Sequence, residues 1–512
     1  MVTVVKTIKT VGLEPVPVKV ECLVTPGIGI HLVGLADAAV KESLLRTVTA
    51  LQAKGFYIPG RKMVINLAPA DLNKQGSGYD LPIALGIIAE SGQVDLPELD
   101  QWVVIGELAL DGNVRAVPGC IQAVEQMRRD SNTETIKGCI IPAGNAKEVA
   151  ALFESETPVY GAATLVEAID IIRNPSGHAK AGEAADEADT GIKTPLKESC
   201  WSTITNNEYT KRALEIAAAG GHSLMLIGDP DSDKKTIARA LAEILPPMTR
   251  QETLEVAKAY SISGRNIGQQ KARPFRAPYH SASMAAFFGG GSGENICPGE
   301  VTLANKGVLF LDEFECMPKA LLDGLRGPIE DRKVVISRLK TKVEYPADFQ
   351  LVASAQPCPC GHYGEGDRCT CTAGQRLRYL QHLSGPVFDS IALQVYVHPT
   401  DGRLCPANTI PIEEVRASVD RARRIQEERF KGQAYQLNDR IPASDLDRYC
   451  HLDDTCKKFL EQIFATIGLS YKALSGILRI ARTIADLEGA QEIRPHHLSE
   501  ATTFRFLDRI TN

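Results

Sequence analysis

An apolar run, Ser223–Ile227, passes directly into Gly228-Asp-Pro-Asp-Ser-Asp-Lys-Lys-Thr236 and then into the helix-like stretch Ile237–Leu245. A strand, a tight turn and a helix in that order form the setting of a phosphate-binding loop, and this constrains the chain more than any other segment. A working loop reads G-x-x-x-x-G-K-[ST]. Its backbone N–H groups converge on phosphate oxygens, its Lys neutralises them and its hydroxyl ligates Mg²⁺. Here Gly228, Lys234, Lys235 and Thr236 are the candidate phosphate-binding residues. The second glycine is replaced by Asp233, the hydroxyl position is Lys235, and Asp229 and Asp231 add two more carboxylates. At about 5 Å and an effective dielectric near 20, each carboxylate repels one unit of phosphate charge by roughly 3 kcal/mol. Moving the motif by one residue restores a Lys-Thr pair, Lys235-Thr236, but puts Lys234 where the last glycine belongs.

Alternation of apolar and helix-like segments extends this reading. From about 198 to 400, the runs Ser223–Ile227, Gly307–Leu311, Phe349–Ser354 and Ile391–Val397 alternate with helical or Gly-rich stretches, which predicts a parallel sheet covered by helices on both faces. Residues 1–172 mix short β-like runs (Val2–Ile8, Val18–Val24, Lys62–Leu67, Trp102–Gly106, Gly138–Ile141) with the amphipathic stretches Ala36–Lys54 and Leu81–Ser91, so they form an α/β unit of their own. Residues 173–197 are polar, small and charged, as linkers are. Residues 401–512 become dominated by helical periodicity from about 411 and predict a helical lid or bundle. The expected fold class is therefore a multidomain α/β protein. With 512 residues, several cores are needed.

A net charge of −6 does not favour one large basic surface, so any DNA contact must be local. No start resembles a signal peptide and no apolar run reaches the length of a membrane span, so a cytoplasmic location without membrane contact is expected. Thirteen cysteines, an odd number, argue for reduced thiols and a metal rather than a disulfide framework.

Two further motifs carry chemistry. Gly307-Val-Leu-Phe-Leu-Asp312-Glu313 is a buried-strand run ending in two carboxylates, the arrangement in which Asp312 holds Mg²⁺ through water and Glu313 polarises the attacking water. The plainer alternative is an acidic helix N-terminus. Cys358, Cys360, Cys369 and Cys371 form two Cys-x-Cys pairs joined by a Gly-rich turn, a ligand set for structural, tetrahedral Zn²⁺, with His362 as a possible substitute ligand. The segment His280–Glu300 carries Phe287 and Phe288, read either as pore residues that stack on bases or as a hairpin packed on the core. The basic residues Arg332, Lys333, Arg338, Lys340 and Lys342 are read either as a solvated face or as a nucleic-acid contact.

Several segments together resemble the YifB/ComM family of magnesium-chelatase-like AAA+ proteins. They are Arg273-Pro-Phe-Arg-Ala-Pro-Tyr-His280, Pro298–Gly307 leading into Asp312-Glu313, Tyr345-Pro-Ala-Asp-Phe349, Pro357-Cys-Pro-Cys-Gly361 and Ala481-Arg-Thr-Ile-Ala-Asp486. The resemblance spans essentially the whole chain. It implies a ring-forming ATPase using ATP and Mg²⁺, a hexamer in the case of the DNA branch-migration motors of natural transformation. It also implies an AAA+ core over 198–400 with the cysteine cluster, a helical lid over 401–512, and a Lon-protease-like domain over 1–172. Gly76–Gly86 and Gly106–Val114 match Lon segments, but the nucleophilic Ser falls near Gly78 and its partner Lys near Ile121. A serine nucleophile needs an adjacent base, so a binding or assembly module without peptidase activity is expected.

Departures from the family pattern fall on the ATPase parts. Gln356 replaces the Asn that positions the hydrolytic water. Val387-Phe-Asp-Ser390-Ile-Ala392 lacks the arginine that reaches a neighbouring subunit's phosphate, and Leu469-Ser-Tyr-Lys472 keeps a cation at the lid sensor without a guanidinium fork. An arginine supplied in trans is worth about 10³–10⁵ in rate. The sequence therefore points to a non-hydrolysing scaffold or regulatory member, acting in homo-oligomeric or mixed rings. The alternative is an active ATP-dependent DNA motor with an atypical loop, using Arg376 or Arg378 as its finger. A chelatase-type metal-insertion partner is a third reading.

Overall fold

The computed structural model describes the chain apart from residues 1, 35–37, 75, 133, 187–198, 205–206, 231, 266–271, 292–295, 339–341, 364–367, 384–385, 398–409, 468–470 and 506–512. Two sheets organise it, giving the mixed multidomain α/β protein expected from the alternation of segments.

The first sheet has seven strands: β1 (Thr3–Val11), β2 (Glu14–Thr25), β3 (Ile30–Val33), β4 (Lys62–Ala68), β5 (Trp102–Val104), β6 (Gly138–Pro142) and β7 (Val159–Ala162). Their spatial order is β3-β4-β2-β1-β5-β6-β7. β1, β2 and β4 pair antiparallel, whereas β5, β6 and β7 are parallel. Alternation in β4 (Met63, Ile65 and Leu67 buried) supplies one face of the core. Against it pack α1 (Ala38–Ala53) and α2 (Asp80–Glu90), the latter buried almost throughout. α3 (Cys120–Asp130) serves a second cluster with Ile121 and Val124. That cluster continues into Ala181, at the start of the short helix Ala181–Asp186, and also takes in Ala257.

The second sheet is entirely parallel: β8 (Leu224–Gly228), β9 (Phe275–Arg276), β10 (Val308–Leu311), β11 (Gln350–Ala355) and β12 (Leu393–Val397). Their order is β9-β10-β11-β8-β12. β8, β10 and β11 are buried along their whole length, which is why they read as unbroken apolar runs. One face is covered by α4 (Glu208–Gly220), α5 (Lys234–Ile244), α6 (Ile412–Arg429) and α7 (Tyr471–Glu488), around Leu226, Phe310, Val352, Val419 and Ile480. The other face packs Met225, Leu309 and Leu351 against Phe287, Phe314 and Tyr345. The C-terminal segment is helical, as its periodicity predicts.

β8 lies between β11 and β12, so the chain direction across the sheet reverses there. In open parallel sheets such a reversal leaves a crevice at the carboxyl ends of the strands. Register fixes what meets in it. Ile227 pairs with Ala355 and Leu311 with Ala353, so Gly228 emerges level with Gln356, and Asp312 level with Ser354 two residues earlier on β11.

Candidate nucleotide site and cysteine cluster

Three sequence motifs converge in this crevice, but the turn after β8 is closed on itself. Lys234 is buried, and its ammonium donates to the carbonyl oxygens of Gly228 (3.1 Å) and Asp229 (2.5 Å) and to Ser232 Oγ (3.0 Å). Ser232 N–H donates to Asp229 O and Lys234 N–H to Ser232 O. Asp233 is the N-cap of α5, accepting from Thr236 N–H at 3.1 Å. The place where a helix N-terminus would hold a phosphate thus carries the chain's own carboxylate. Lys235 is exposed on the first turn of α5. Asp231 lies outside the described residues. Gly228 is required by close packing: a Cβ there would lie 2.5 Å from Val397 O.

The carboxylate pair is organised by Ser354, which the sequence reading did not single out. Ser354 Oγ donates to Asp312 Oδ1 at 2.5 Å and accepts from Glu313 N–H at 3.1 Å. Glu313 takes a left-handed backbone conformation (φ 52°) and its carboxylate pairs with His280 Nδ1 at 3.3 Å. Glu315 was also missed. Burial pushes its carboxyl above the usual range, against a hydrogen bond from Gln356 N–H. Its Oε2 is buried without a hydrogen-bond partner among the described residues. Gln356 O accepts from Tyr379 Oη.

Ser390 ends the short helix Pro386–Asp389, donating to Val387 O, while its carbonyl accepts from Ser223 Oγ. Arg376 stacks on the Tyr363 ring at 5.1 Å, and Arg378 is exposed. Lys472 is exposed at the start of α7.

Cys358, Cys360, Cys369 and Cys371 come together, with all four sulfurs within 4.8 Å of one another. Three of the Sγ–Sγ separations are 3.3, 3.7 and 3.9 Å. A tetrahedron with metal–sulfur bonds of about 2.3 Å has edges of about 3.8 Å, so the thiols fit Zn²⁺. The cluster loop abuts the substituted turn: Gly361, at φ 85°, faces Pro230, whose Cδ would lie 2.7 Å from an added Cβ.

A second trio, Glu488, His496 and His497, does not fit a metal. His497 Nδ1 accepts from Arg494 N–H, so the proton sits on Nε2, the nitrogen aimed at Glu488.

Of the aromatic pair, Phe287 is fully buried and meets Phe288 edge-on at 5.1 Å, while Phe288 lies over Gly324. The packed hairpin, not base stacking, describes Phe287. Lys333 pairs with Glu344 across a hairpin, Lys342 pairs with the same Glu344 along its own strand, and Lys340 lies outside the described residues. In the first unit, Ile121 is buried in the core and Gly78 faces Ile105, so neither position offers a nucleophile or base. Ser77 donates to Glu107. No described helix is long and apolar enough to cross a membrane.

The second unit is a parallel α/β core whose carboxyl edge carries the turn after β8 and the carboxylate pair Asp312 and Glu313. Residues 20–145 match the family "Subunit ChlI of Mg-chelatase", 200–404 "Magnesium chelatase, subunit ChlI" and 410–505 "Magnesium chelatase, subunit ChlI C-terminal". The chain is 37% identical to the uncharacterized protein YifB of Salmonella typhimurium, over 99% of this chain and 97% of the relative. It is 38% identical to the competence protein ComM of Haemophilus influenzae, over 94% of this chain and 93% of the relative. Similarity to the magnesium-chelatase 38 kDa subunit of Rhodobacter capsulatus is 24%, over 60% of this chain and 87% of the relative. The chain belongs to the YifB/ComM family of magnesium-chelatase-like proteins.

Proposed function

We propose that this chain is a non-hydrolysing member of its family, a scaffold or regulatory subunit of an oligomeric ring. The observation that carries the reading is the self-filled turn. Lys234 is held by the loop's own carbonyls, and Asp233 occupies the anion position of α5. Nucleotide binding would require a buried ammonium to break three contacts and a cap to be lost before any phosphate contact formed. Ser390 in place of a finger arginine, Gln356 and the exposed Lys472 supply no compensating group. On this reading residues 1–172 are a Lon-like assembly module, 173–197 a linker, 198–400 an AAA+ core stiffened by zinc on Cys358, Cys360, Cys369 and Cys371, and 401–512 the lid. The ring would work in the cytoplasm and contact DNA through partner subunits.

A second reading is an ATP-driven DNA motor, favoured by the ordered Asp312–Ser354–Glu313 arrangement. Equilibrium binding of a fluorescent ATP analogue with Mg²⁺ separates the two. The native chain should not bind, and a repair variant carrying Asp231→Gly, Asp233→Gly and Lys235→Thr should gain binding. Micromolar binding by the native chain would overturn the scaffold reading.

A further inference from the structure

At the edge of the second sheet opposite the crevice, where β10 and β11 begin, a recess of about 70 Å³ opens into a groove of about 730 Å³. Its charged lining is Arg273, Lys306, Arg423 and Arg440 against Glu252 and Asp348, four cations and two carboxylates. Arg273 pairs with Glu252 (3.2 Å), while Lys306 (2.8 Å) and Arg440 share Asp348. Arg423 directs two N–H groups at Ala218 O, near the end of α4. The lining therefore holds two positive charges in excess. Farther out the groove carries Glu255, Asp420 and Glu427 against Arg424, so the excess is confined to the inner end.

One donor here has no internal partner, and the crowding of the cations runs in the same direction. Arg440 Nε is buried and has no acceptor among the described residues. The cations also press on one another: burial, Arg273 and Arg440 together push the Arg423 guanidinium down to about 10, and burial and Arg440 lower Arg332. Like charges crowded into a half-buried recess are stabilised by a counter-ion.

We propose that this recess binds a compact tetrahedral dianion of the phosphate class. Its volume is several times the roughly 10–15 Å³ that one water needs, ample for one such oxyanion. The guanidiniums of Arg273, Arg423 and Arg440 offer forked donors, and Lys306 adds a point charge. The dianion is either free phosphate or the phosphate of a monoester whose remainder lies in the outer groove beside Pro246, Pro247 and Tyr435.

The test titrates inorganic phosphate into the full-length protein by calorimetry, with chloride at matched ionic strength as control. Saturable phosphate binding is expected, unchanged in Lys234→Ala and weakened about tenfold in Arg440→Lys, which keeps the charge beside Asp348 but loses the guanidinium fork. Because Arg440→Lys preserves the ion pair, its folding is expected to survive, and a thermal melt checks this. Tighter binding of ribose 5-phosphate than of phosphate assigns a monoester; equal affinities assign the free ion. The proposal is overturned if chloride reproduces the effect, if folded Arg440→Lys binds like the native chain, or if only a single-stranded oligonucleotide binds.

Discussion

Lys234 Nζ lies 3.1 Å from the carbonyl oxygen of Gly228, so the two ends of the turn after β8 are tied by the group that would otherwise meet a phosphate. The turn also caps its own helix through Asp233. Its charges therefore stabilise the folded chain in place of a ligand.

Removing that cap should be felt as stability before it is felt as binding. Asp233→Ala should lower stability by about 1 kcal/mol in urea unfolding, the usual cost of an acidic N-cap. Nucleotide binding should not appear in this single variant, since Asp231 and Lys235 remain in the loop. Binding of the ATP analogue by Asp233→Ala alone would show that this one carboxylate is enough to block the site.

Much of this architecture was legible in the residues. The buried strands of the second sheet are unbroken apolar runs between turns, and each lies within about two residues of its expected place. Strands β3 and β7 were missed because four-residue strands beside or containing glycine, such as Ile30–Val33 and Val159–Ala162, give no usable periodicity. The cap at Asp233 went unrecognised because α5 begins at Lys234, three residues before the helical run read from the sequence at Ile237. Ser354 gave none: its tie to Asp312 arises only from the register of β10 against β11. Glu315 likewise becomes distinctive only once its surroundings are buried.

The cysteine cluster should hold one zinc per chain. Metal analysis of protein purified without chelator should give equimolar zinc, and Cys358→Ser with Cys369→Ser should abolish it. Chelation should lower the melting temperature, because the loop that packs Gly361 against Pro230 loses its anchor. Substoichiometric zinc unaffected by the replacements would remove the metal from this site.

Phe287 and Phe288 should differ in what their loss costs. Phe287→Ala empties a fully buried position and should cost about 3–5 kcal/mol of unfolding free energy. Phe288→Ala, at a partly buried ring over Gly324, should cost clearly less. DNA binding, if measured in the folded variants, should not track Phe287. A selective loss of DNA affinity in Phe287→Ala with native stability would contradict its placement in the core.

Asp348 should give the protein a specific acid sensitivity. Burial alone would raise its carboxyl, but Arg440 and Lys306 outweigh burial and hold it well below the usual carboxylate range. A carboxyl depressed in the folded state contributes stability above its unfolded value of about 3.9, and that contribution is lost as pH falls toward the folded value. Asp348→Asn should therefore lower the melting temperature at neutral pH and flatten the decline below about pH 5. It should also leave Arg440 and Lys306 without their shared partner, so phosphate should restore more stability to this variant than to the native chain. Equal acid limbs in the two proteins would show that Asp348 does not carry the linkage.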